Sequence, residues 1–359
     1  MRIGIDAREL GGHATGAGRY LSGLLQAWAD RPASSRHEFV LYAAQPLNMA
    51  LDARRFTTRV IPGKTGAWWE QVRLPNAARS DHLDVFFAPA YSAPLRLSVP
   101  TVVAIHDVSF MAHPEWFRTR EGLRRRWLTR QSAARARAVV TISQFSRAEI
   151  VERLSVAAER VHVIPPGVTA PIVAGDRGAE DRVLFVGSIF NRRRVPDLVR
   201  ALGLLARTRP SVSMDLVGDN RTWPNEDVDR TIAAEGLSHR VRWHRYASEP
   251  LLQELYRRAR AFAFLSEYEG LGLTPLEAMA AGVPPVVLDT PVARESCGAA
   301  ALYVAAGDLK GTAAALDRLL GDDTVRAALL ANAPAVLAQY QWPRAARETL
   351  ALLEQWGTP

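Results

Sequence analysis

The chain of 359 residues has one cysteine, Cys297, and two lysines, Lys64 and Lys310. A single thiol excludes an internal disulfide, so the reducing cytoplasm is the expected compartment. No apolar run approaches the roughly 18–20 residues needed to span a bilayer. The opening Met1-Arg2-Ile3-Gly4-Ile5-Asp6 reads as an alternating strand that contains an acid, not as a secretion signal. Internal repeats and low-complexity tracts are missing. No cysteine–histidine spacing suits a metal, and no Gly-x-Ser-x-Gly turn offers a nucleophile. Gly63-Lys64-Thr65 ends like a P-loop, but Thr58 stands where its first glycine belongs. Asp227-x-Asp229 resembles a metal-binding pair, yet it follows Trp223-Pro224-Asn225, where acids favour a helix start.

The scarcity of lysine leaves arginine to carry a formal net charge of +8. Such a bias reflects a GC-rich coding sequence, so the charge argues little for nucleic acid, and no nucleic-acid partner is expected. Placement says more. Arg118, Arg120, Arg124, Arg125, Arg126, Arg130, Arg135 and Arg137 crowd one segment with Glu121 as the lone acid, and Trp116, Phe117, Leu123, Trp127 and Leu128 interleave. A helix of this kind fits an anionic membrane surface or acceptor, and equally a solvated face.

A chain of this length exceeds one ordinary core, and 48% hydrophobic with 23% charged residues is a soluble globular composition. The first half alternates strand patterns (3–6, 39–43, 85–88, 102–106, 139–143, 161–165) with helical ones (20–29, 123–134, 144–154). Residues 165–181, rich in proline and glycine, read as a linker. A second series follows, with strands at 183–186, 214–217, 241–243, 261–265, 286–288 and 302–304. Its helices fall at 196–207, 250–260, 275–281 and 309–320, and 325–339 and 344–356 close the chain. The expected class is α/β: two doubly wound, Rossmann-like domains facing a central cleft. The expected boundaries are 1–168 for the first domain, 169–341 for the second, and 342–359 for a closing helix.

The richest motif runs from Glu269 through Gly270, Leu271, Gly272, Leu273 and Thr274 to Glu277. It reads as strand, glycine loop and helix. A helix N-terminus presents unpaired N–H groups and partial positive charge to a phosphate, glycines let the backbone approach a ligand, and the flanking carboxylates suit sugar hydroxyls. Thr274-x-x-Glu277 with Pro275 also matches a capping box, so Glu277 reads equally as a cap. Gly187-Ser188 ends a strand ahead of Arg192-Arg193-Arg194, a candidate diphosphate clamp, since arginine binds phosphate bidentately. Thr15-Gly16-Ala17-Gly18-Arg19-Tyr20 precedes the first helix; with Leu21 in the third glycine position it is no dinucleotide fingerprint. His106 closes an apolar strand, where parallel sheets bind ligands, although a histidine there is as readily structural.

Taken in order, these segments resemble the retaining glycosyltransferases of family four, which have the GT-B fold. Further support comes from His106-Asp107-Val108-Ser109-Phe110 with His113-Pro114-Glu115-Trp116-Phe117, from Val161-His162-Val163-Ile164-Pro165-Pro166-Gly167-Val168, and from Leu302-Tyr303-Val304 with Gly307-Asp308. The resemblance implies an acceptor-side domain at 1–168, a nucleotide-sugar-binding domain at 169–341, and a helix at 342–359 that packs back on the first; it also implies residue roles. Glu277 would bind the donor ribose and Glu269 would lie near the transferred sugar. Gly270, Leu271, Gly272, Leu273 and Thr274 would give backbone contacts at the helix start, and His106 would contact the sugar near the reacting carbon. Gly16 and Gly18 would line the cleft, and Gly187, Ser188, Arg192 and Arg193 would hold the diphosphate. The family usually has Arg-Lys-Asn or Arg-Lys-Gly where this chain has Arg192-Arg193-Arg194, so Arg193 replaces a lysine.

The implied reaction moves a hexose from a GDP- or UDP-linked donor, mannose from GDP-mannose in the first instance, to a glycan or lipid-linked acceptor in polysaccharide synthesis. Anomeric configuration is retained, and no metal or other cofactor is expected. The implied location is cytoplasmic, with peripheral contact at the inner membrane face through residues 118–137. The rival readings are an epimerase or hydrolase on the same fold and a non-catalytic sugar-nucleotide-binding subunit.

Overall fold

A computed structural model describes residues 1–11, 16–30, 37–169 and 180–357. Thr15, in the first glycine loop, and most of the 165–181 linker lie outside them. The chain divides into two compact units. Met1–Ala112, Thr119–Gly167 and Tyr340–Pro359 form the first, and His113–Arg118 with Val168–Gln339 the second.

The first unit runs β1 (Arg2–Asp6), α1 (Gly16–Ala29), β2 (Glu38–Ala43), β3 (Phe56–Val60), α2 (Leu74–Ala78), β4 (Val85–Ala88), β5 (Thr101–Ala104), α3 (Ser109–Ala112), α4 (Thr119–Arg135), β6 (Ala138–Thr141), α5 (Gln144–Leu154) and β7 (Val161–Val163). The strands pair in parallel, in the order β3-β2-β1-β4-β5-β6-β7. Apolar runs such as Val85-Phe86-Phe87 are inaccessible, as strands covered on both faces require. β3 escaped the sequence pattern because Phe56 alone among its residues is buried; an edge strand shows little apolar alternation.

The second unit runs β8 (Arg182–Val186), α6 (Val195–Ala206), β9 (Ser213–Val217), α7 (Val228–Ala234), β10 (Val241–His244), α8 (Glu249–Arg258), β11 (Ala261–Phe264), α9 (Leu273–Ala280), β12 (Pro285–Leu288), α10 (Pro291–Cys297), β13 (Leu302–Val304), α11 (Leu309–Gly321) and α12 (Asp323–Leu337). Its parallel order is β10-β9-β8-β11-β12-β13. Both sheets are therefore doubly wound and Rossmann-like. In each, connections reverse direction on either side of the unit's first strand, which opens a ligand crevice at the carboxyl ends of β1 and β4 and of β8 and β11. Asp227 accepts from the Arg230 N–H at 2.9 Å to cap α7, the helix-start role its sequence context suggests.

The final helix, α13 (Trp342–Gly357), packs in the first unit, where the Trp28 indole donates to the Ala346 carbonyl at 2.8 Å. Gly23 of α1 makes room for it, since a Cβ there would lie 2.5 Å from the Trp342 ring. Gly23→Val is expected to cost about 1–3 kcal/mol through overpacking, read as a lower Tm. An unchanged Tm would show that Trp342 moves aside freely.

Candidate functional site

Gly187 and Ser188 leave β8 at the switch point of the second sheet, and Ser266 through Glu269 leave β11 beside them. Gly187 has φ +139°, and a Cβ on it would fall 2.4 Å from an Arg193 guanidinium nitrogen, so only glycine lets Arg193 lie across this turn. Arg193 Nε donates to Glu269 Oε1 at 2.8 Å and Nη1 to the Ser188 carbonyl at 2.8 Å. The Phe264 ring centroid lies 4.9 Å from its guanidinium carbon. Arg192 Nε lies 3.8 Å from the same Glu269 oxygen, and its guanidinium covers Phe190 at 4.4 Å. Ser266 Oγ donates to that oxygen at 2.9 Å. The Glu267 N–H, bonded to the Arg192 carbonyl at 2.8 Å, stitches the two loops together.

Two guanidinium groups thus share one mostly buried carboxylate, which leaves a surplus positive charge at the crevice. Burial pushes the Glu269 pKa up, but Arg193 and Arg192 outweigh it and hold the carboxyl below its usual range. Glu269 is therefore ionised at neutral pH and orients both arginines. Arg194 does not join the clamp: it pairs with Asp197 at 2.7 Å and with Glu267. It adopts φ +47°, a left-handed conformation that asparagine or glycine enters more easily. The third position of the family pattern is thereby explained.

The loop from Glu269 reaches α9 through Gly272, which has φ +88° and occupies the N-cap position without a side-chain cap. The helix begins at Leu273, so Thr274 is its second residue and Glu277 its fifth. The capping-box alternative is corrected by this register: Thr274 is inside the helix and Glu277 lies beyond its first turn. Thr274 Oγ1 and Arg192 Nε are buried and make no hydrogen bond within the protein, Arg192 Nε keeping its ion pair with Glu269 at 3.8 Å. At the other end, Gly282 N–H bonds to Met279 O and Val283 N–H to Ala278 O, both at 2.8 Å, a Schellman stop.

In the first unit, Gly16 and Gly18 lie in the first turn of α1, one turn earlier than the sequence pattern places the helix. His106 lies two residues past the end of β5 and is buried. Its Nε2 is 2.8 Å from the Pro89 carbonyl. A carbonyl only accepts, so Nε2 carries the proton. Tyr20 and Tyr91 meet the ring edge-on at 4.7 and 5.5 Å. Burial lowers its pKa, so the imidazole is neutral. That chemistry suits accepting a hydrogen bond from a hydroxyl at Nδ1 better than transferring a proton.

Sequence reasoning missed a charged cluster at the switch point of the first sheet. Arg8 pairs with Asp6 at 3.2 Å and Glu70 at 2.7 Å, and Ser92 Oγ donates to Glu70 at 2.6 Å. The lone trace in the sequence was an acid, Asp6, ending an apolar strand; Glu70 arrives from 64 residues away. Burial pushes the Asp6 pKa up to about 6 against the pull of Arg8. An acid raised in the fold holds its proton more tightly there than unfolded, so this group favours the fold most below about pH 4 and loses that contribution as pH rises through 6. Wild type minus Asp6→Asn is expected to show stability falling by on the order of 3 kcal/mol across that interval, measured by denaturant melts at several pH values. A flat difference would contradict it.

The basic segment forms α4, and part of its charge is structural. Arg125 lies 5.9 Å from the Tyr91 ring and 5.8 Å from Phe110, Arg126 donates to the Phe110 carbonyl at 3.4 Å, and Arg130 donates to Arg153 O at 3.3 Å. Arg118 covers Trp223 at 4.8 Å. Arg120, Leu123, Arg124 and Trp127 share the outward face, with Leu123 55% and Trp127 59% exposed. No helix among the described residues is long and apolar enough to cross a membrane.

Comparison with known proteins agrees with this architecture. Residues 14–170 match the family described as Glycosyltransferase Family 4, and residues 173–336 the family described as Glycosyl transferases group 1. O-antigen chain mannosyltransferase B of Escherichia coli is 28% identical over 287 residues, 76% of this chain and 75% of that protein. Anabaena Alr3699/HepE, solved in complex with UDP and glucose, aligns at TM-score 0.74 with 21% identity, covering 98% of this chain and 100% of its own. Sucrose-phosphate synthase from Thermosynechococcus elongatus aligns at TM-score 0.78 with 18% identity, covering 99% and 98%. At those identities the two structures speak for the fold alone.

Proposed function

Because the chain belongs to the GT-B glycosyltransferases of family 4, its second half being a group 1 glycosyl transferase domain, we propose that it is a retaining hexosyltransferase of polysaccharide synthesis. In this reading it moves mannose from a nucleotide-diphosphate donor to a glycan or lipid-linked acceptor. The observation that carries the reading is the Arg192–Arg193–Glu269 cluster at the second switch point. When the bond from the anomeric carbon to the phosphate oxygen breaks, negative charge grows on the departing diphosphate. Arginines already oriented by a mostly buried carboxylate meet that charge with little reorganisation. The N–H groups at the start of α9 supply further positive potential. The acceptor oxygen bonds to the anomeric carbon on the face the diphosphate leaves, and its proton passes to the departing phosphate oxygen. With this charge in place the step requires neither metal nor other cofactor.

Glu277, outside the capping register, is assigned to the donor ribose. His106, neutral and with Nε2–H held by Pro89, is assigned to a sugar hydroxyl. Mannose rests on the resemblance to the E. coli mannosyltransferase, whereas the Anabaena neighbour was solved with UDP, so the base is left to experiment. A thermal-shift screen against GDP, UDP, dTDP and ADP and their sugars tests the site, since a ligand of the native state raises Tm. A shift with one base names the donor, and transfer then requires an acceptor. Turnover without acceptor would favour the epimerase or hydrolase, and no shift with any nucleotide would overturn the donor site.

The outward face of α4 favours peripheral contact with an anionic membrane, since exposed Trp127 and Leu123 stand among Arg120 and Arg124. Binding to anionic but not neutral vesicles is expected, with loss in an Arg120→Ser, Arg124→Ser, Trp127→Ser variant. Equal flotation of wild type and variant would sink the assignment.

A further inference from the structure

Tyr91 lies in the turn that leaves β4 and adopts φ +64°, a conformation that costs a bulky side chain energy. Ser155 and Arg194 share that region for a local reason, since the first ends α5 and the second precedes α6. Tyr91 adjoins no helix. Its strain is that of a tight turn: the Ser92 N–H donates to the Ala90 carbonyl, two residues back, at 2.7 Å. With a positive φ at the centre, this is the rarer and more strained kind of γ-turn. Such a backbone persists only where its surroundings over-determine it. Here the Tyr91 N–H donates to the Ala104 carbonyl of β5 at 2.8 Å, Ser92 Oγ to Glu70 at 2.6 Å, and the Ala93 N–H to Ser132 Oγ of α4 at 3.0 Å.

What this turn fixes is His106. The Pro89 carbonyl accepts from His106 Nε2 at 2.8 Å. The Tyr91 ring meets the imidazole edge-on, with centroids 5.5 Å apart and planes at 81°, an arrangement favoured by aromatic quadrupoles. The Tyr91 hydroxyl donates to Asp107 Oδ2 at 2.9 Å, and the other oxygen of Asp107 accepts from the Ser109 N–H at 2.8 Å. Phe110 and Arg125 pack on the same tyrosine ring, at 6.1 and 5.9 Å. One short turn therefore holds the imidazole by its proton, by its ring and through the residue that follows it. The direction of the Cα–Cβ bond depends on φ, so an ordinary backbone at residue 91 would aim the ring elsewhere.

We propose that Tyr91 is a positioning residue for transfer: its strained turn sets the orientation of the His106 ring, with Nε2–H held by Pro89 and Nδ1 left to accept from a sugar hydroxyl. The proposal rests on the assignment of His106 to that hydroxyl. It gives the strain a purpose, since the backbone energy stored at residue 91 is exchanged for an imidazole that needs no reorientation when the sugar arrives.

Three variants test it. Tyr91→Ala removes the ring and keeps the strained φ, Tyr91→Gly removes the ring and enters that φ freely, and Tyr91→Phe keeps the ring without the bond to Asp107. Both Tyr91→Ala and Tyr91→Gly are expected to lower kcat by about ten- to a hundredfold, the scale of a displaced contact, and Tyr91→Phe to stay well above them. Tm is expected to be higher in Tyr91→Gly than in Tyr91→Ala, so stability and turnover move apart. A kcat that recovers with Tm in Tyr91→Gly, or that matches wild type in both, would make the turn merely structural and overturn the proposal. Nitrogen NMR of the imidazole reads the same point without turnover. His106 is expected as the Nε2–H tautomer in wild type and as a mixture of tautomers in Tyr91→Ala; an imidazole unchanged by the substitution also overturns the proposal. Transfer at the wild-type rate by His106→Ala would overturn the sugar assignment of His106 instead, with the control of its ring by Tyr91 still read by NMR, so the two fall separately.

Discussion

Arg193→Ala is expected to lower kcat/KM by about a hundredfold or more, the effect of removing one preorganised donor from a developing negative charge. The substitution also takes from Glu269 the guanidinium that donates to its Oε1 at 2.8 Å, leaving Arg192 at 3.8 Å and the Ser266 hydroxyl at 2.9 Å. Removing one partner from a mostly buried ion pair costs up to about 3–5 kcal/mol, so lost activity alone would leave lost folding as an explanation. Two further variants separate these effects. Arg193→Lys keeps the charge and places the residue usual in the family, and it should retain activity well above alanine. Arg193→Ala with Glu269→Gln removes the under-compensated charge and should recover much of the Tm while transfer stays low. Recovered transfer in that double variant would show that Arg193 serves only to neutralise Glu269, and the clamp would be abandoned.

Glu277→Ala is expected to weaken donor nucleotide binding by about 1.5–3 kcal/mol, the worth of hydrogen bonds to a charged group, or roughly ten- to a hundredfold in Kd. Its register makes the result interpretable. With Gly272 at the N-cap and Leu273 opening the helix, the side chain is past the N–H groups that a capping box serves. Calorimetry with the nucleotide identified by thermal shift gives the Kd, and a melt gives the stability. A lower Tm with an unchanged Kd would return Glu277 to a structural role.

Local reading recovered what depends on neighbours in the chain. α5 follows an N-cap, Ser143, whose side chain accepts from the Ser146 N–H at 3.0 Å, and its residues are those the pattern indicated. The central strands were legible because burial on both faces demands unbroken apolar runs. Short elements were not: α7 and α10 have seven residues each, too few for a helical period to show. The glycines at 187 and 272, the three consecutive arginines and the paired glutamates marked the second switch point, since their types are costly anywhere that does not need them.

The sequence by itself determined the class of fold and the order of the central strands and longer helices, because apolar periodicity is a property of consecutive residues, and its motifs carried the resemblance to the family. Tertiary structure alone decided which charges meet. It set Glu269 against Arg193, 76 residues away in the chain, and gave Arg194 to Glu267. It moved α9 forward so that Glu277 left the cap, and it brought Glu70 to Arg8 at the first switch point. Pairings of this kind follow from how parallel strands align their carboxyl ends, and no spacing along the chain encodes that distance.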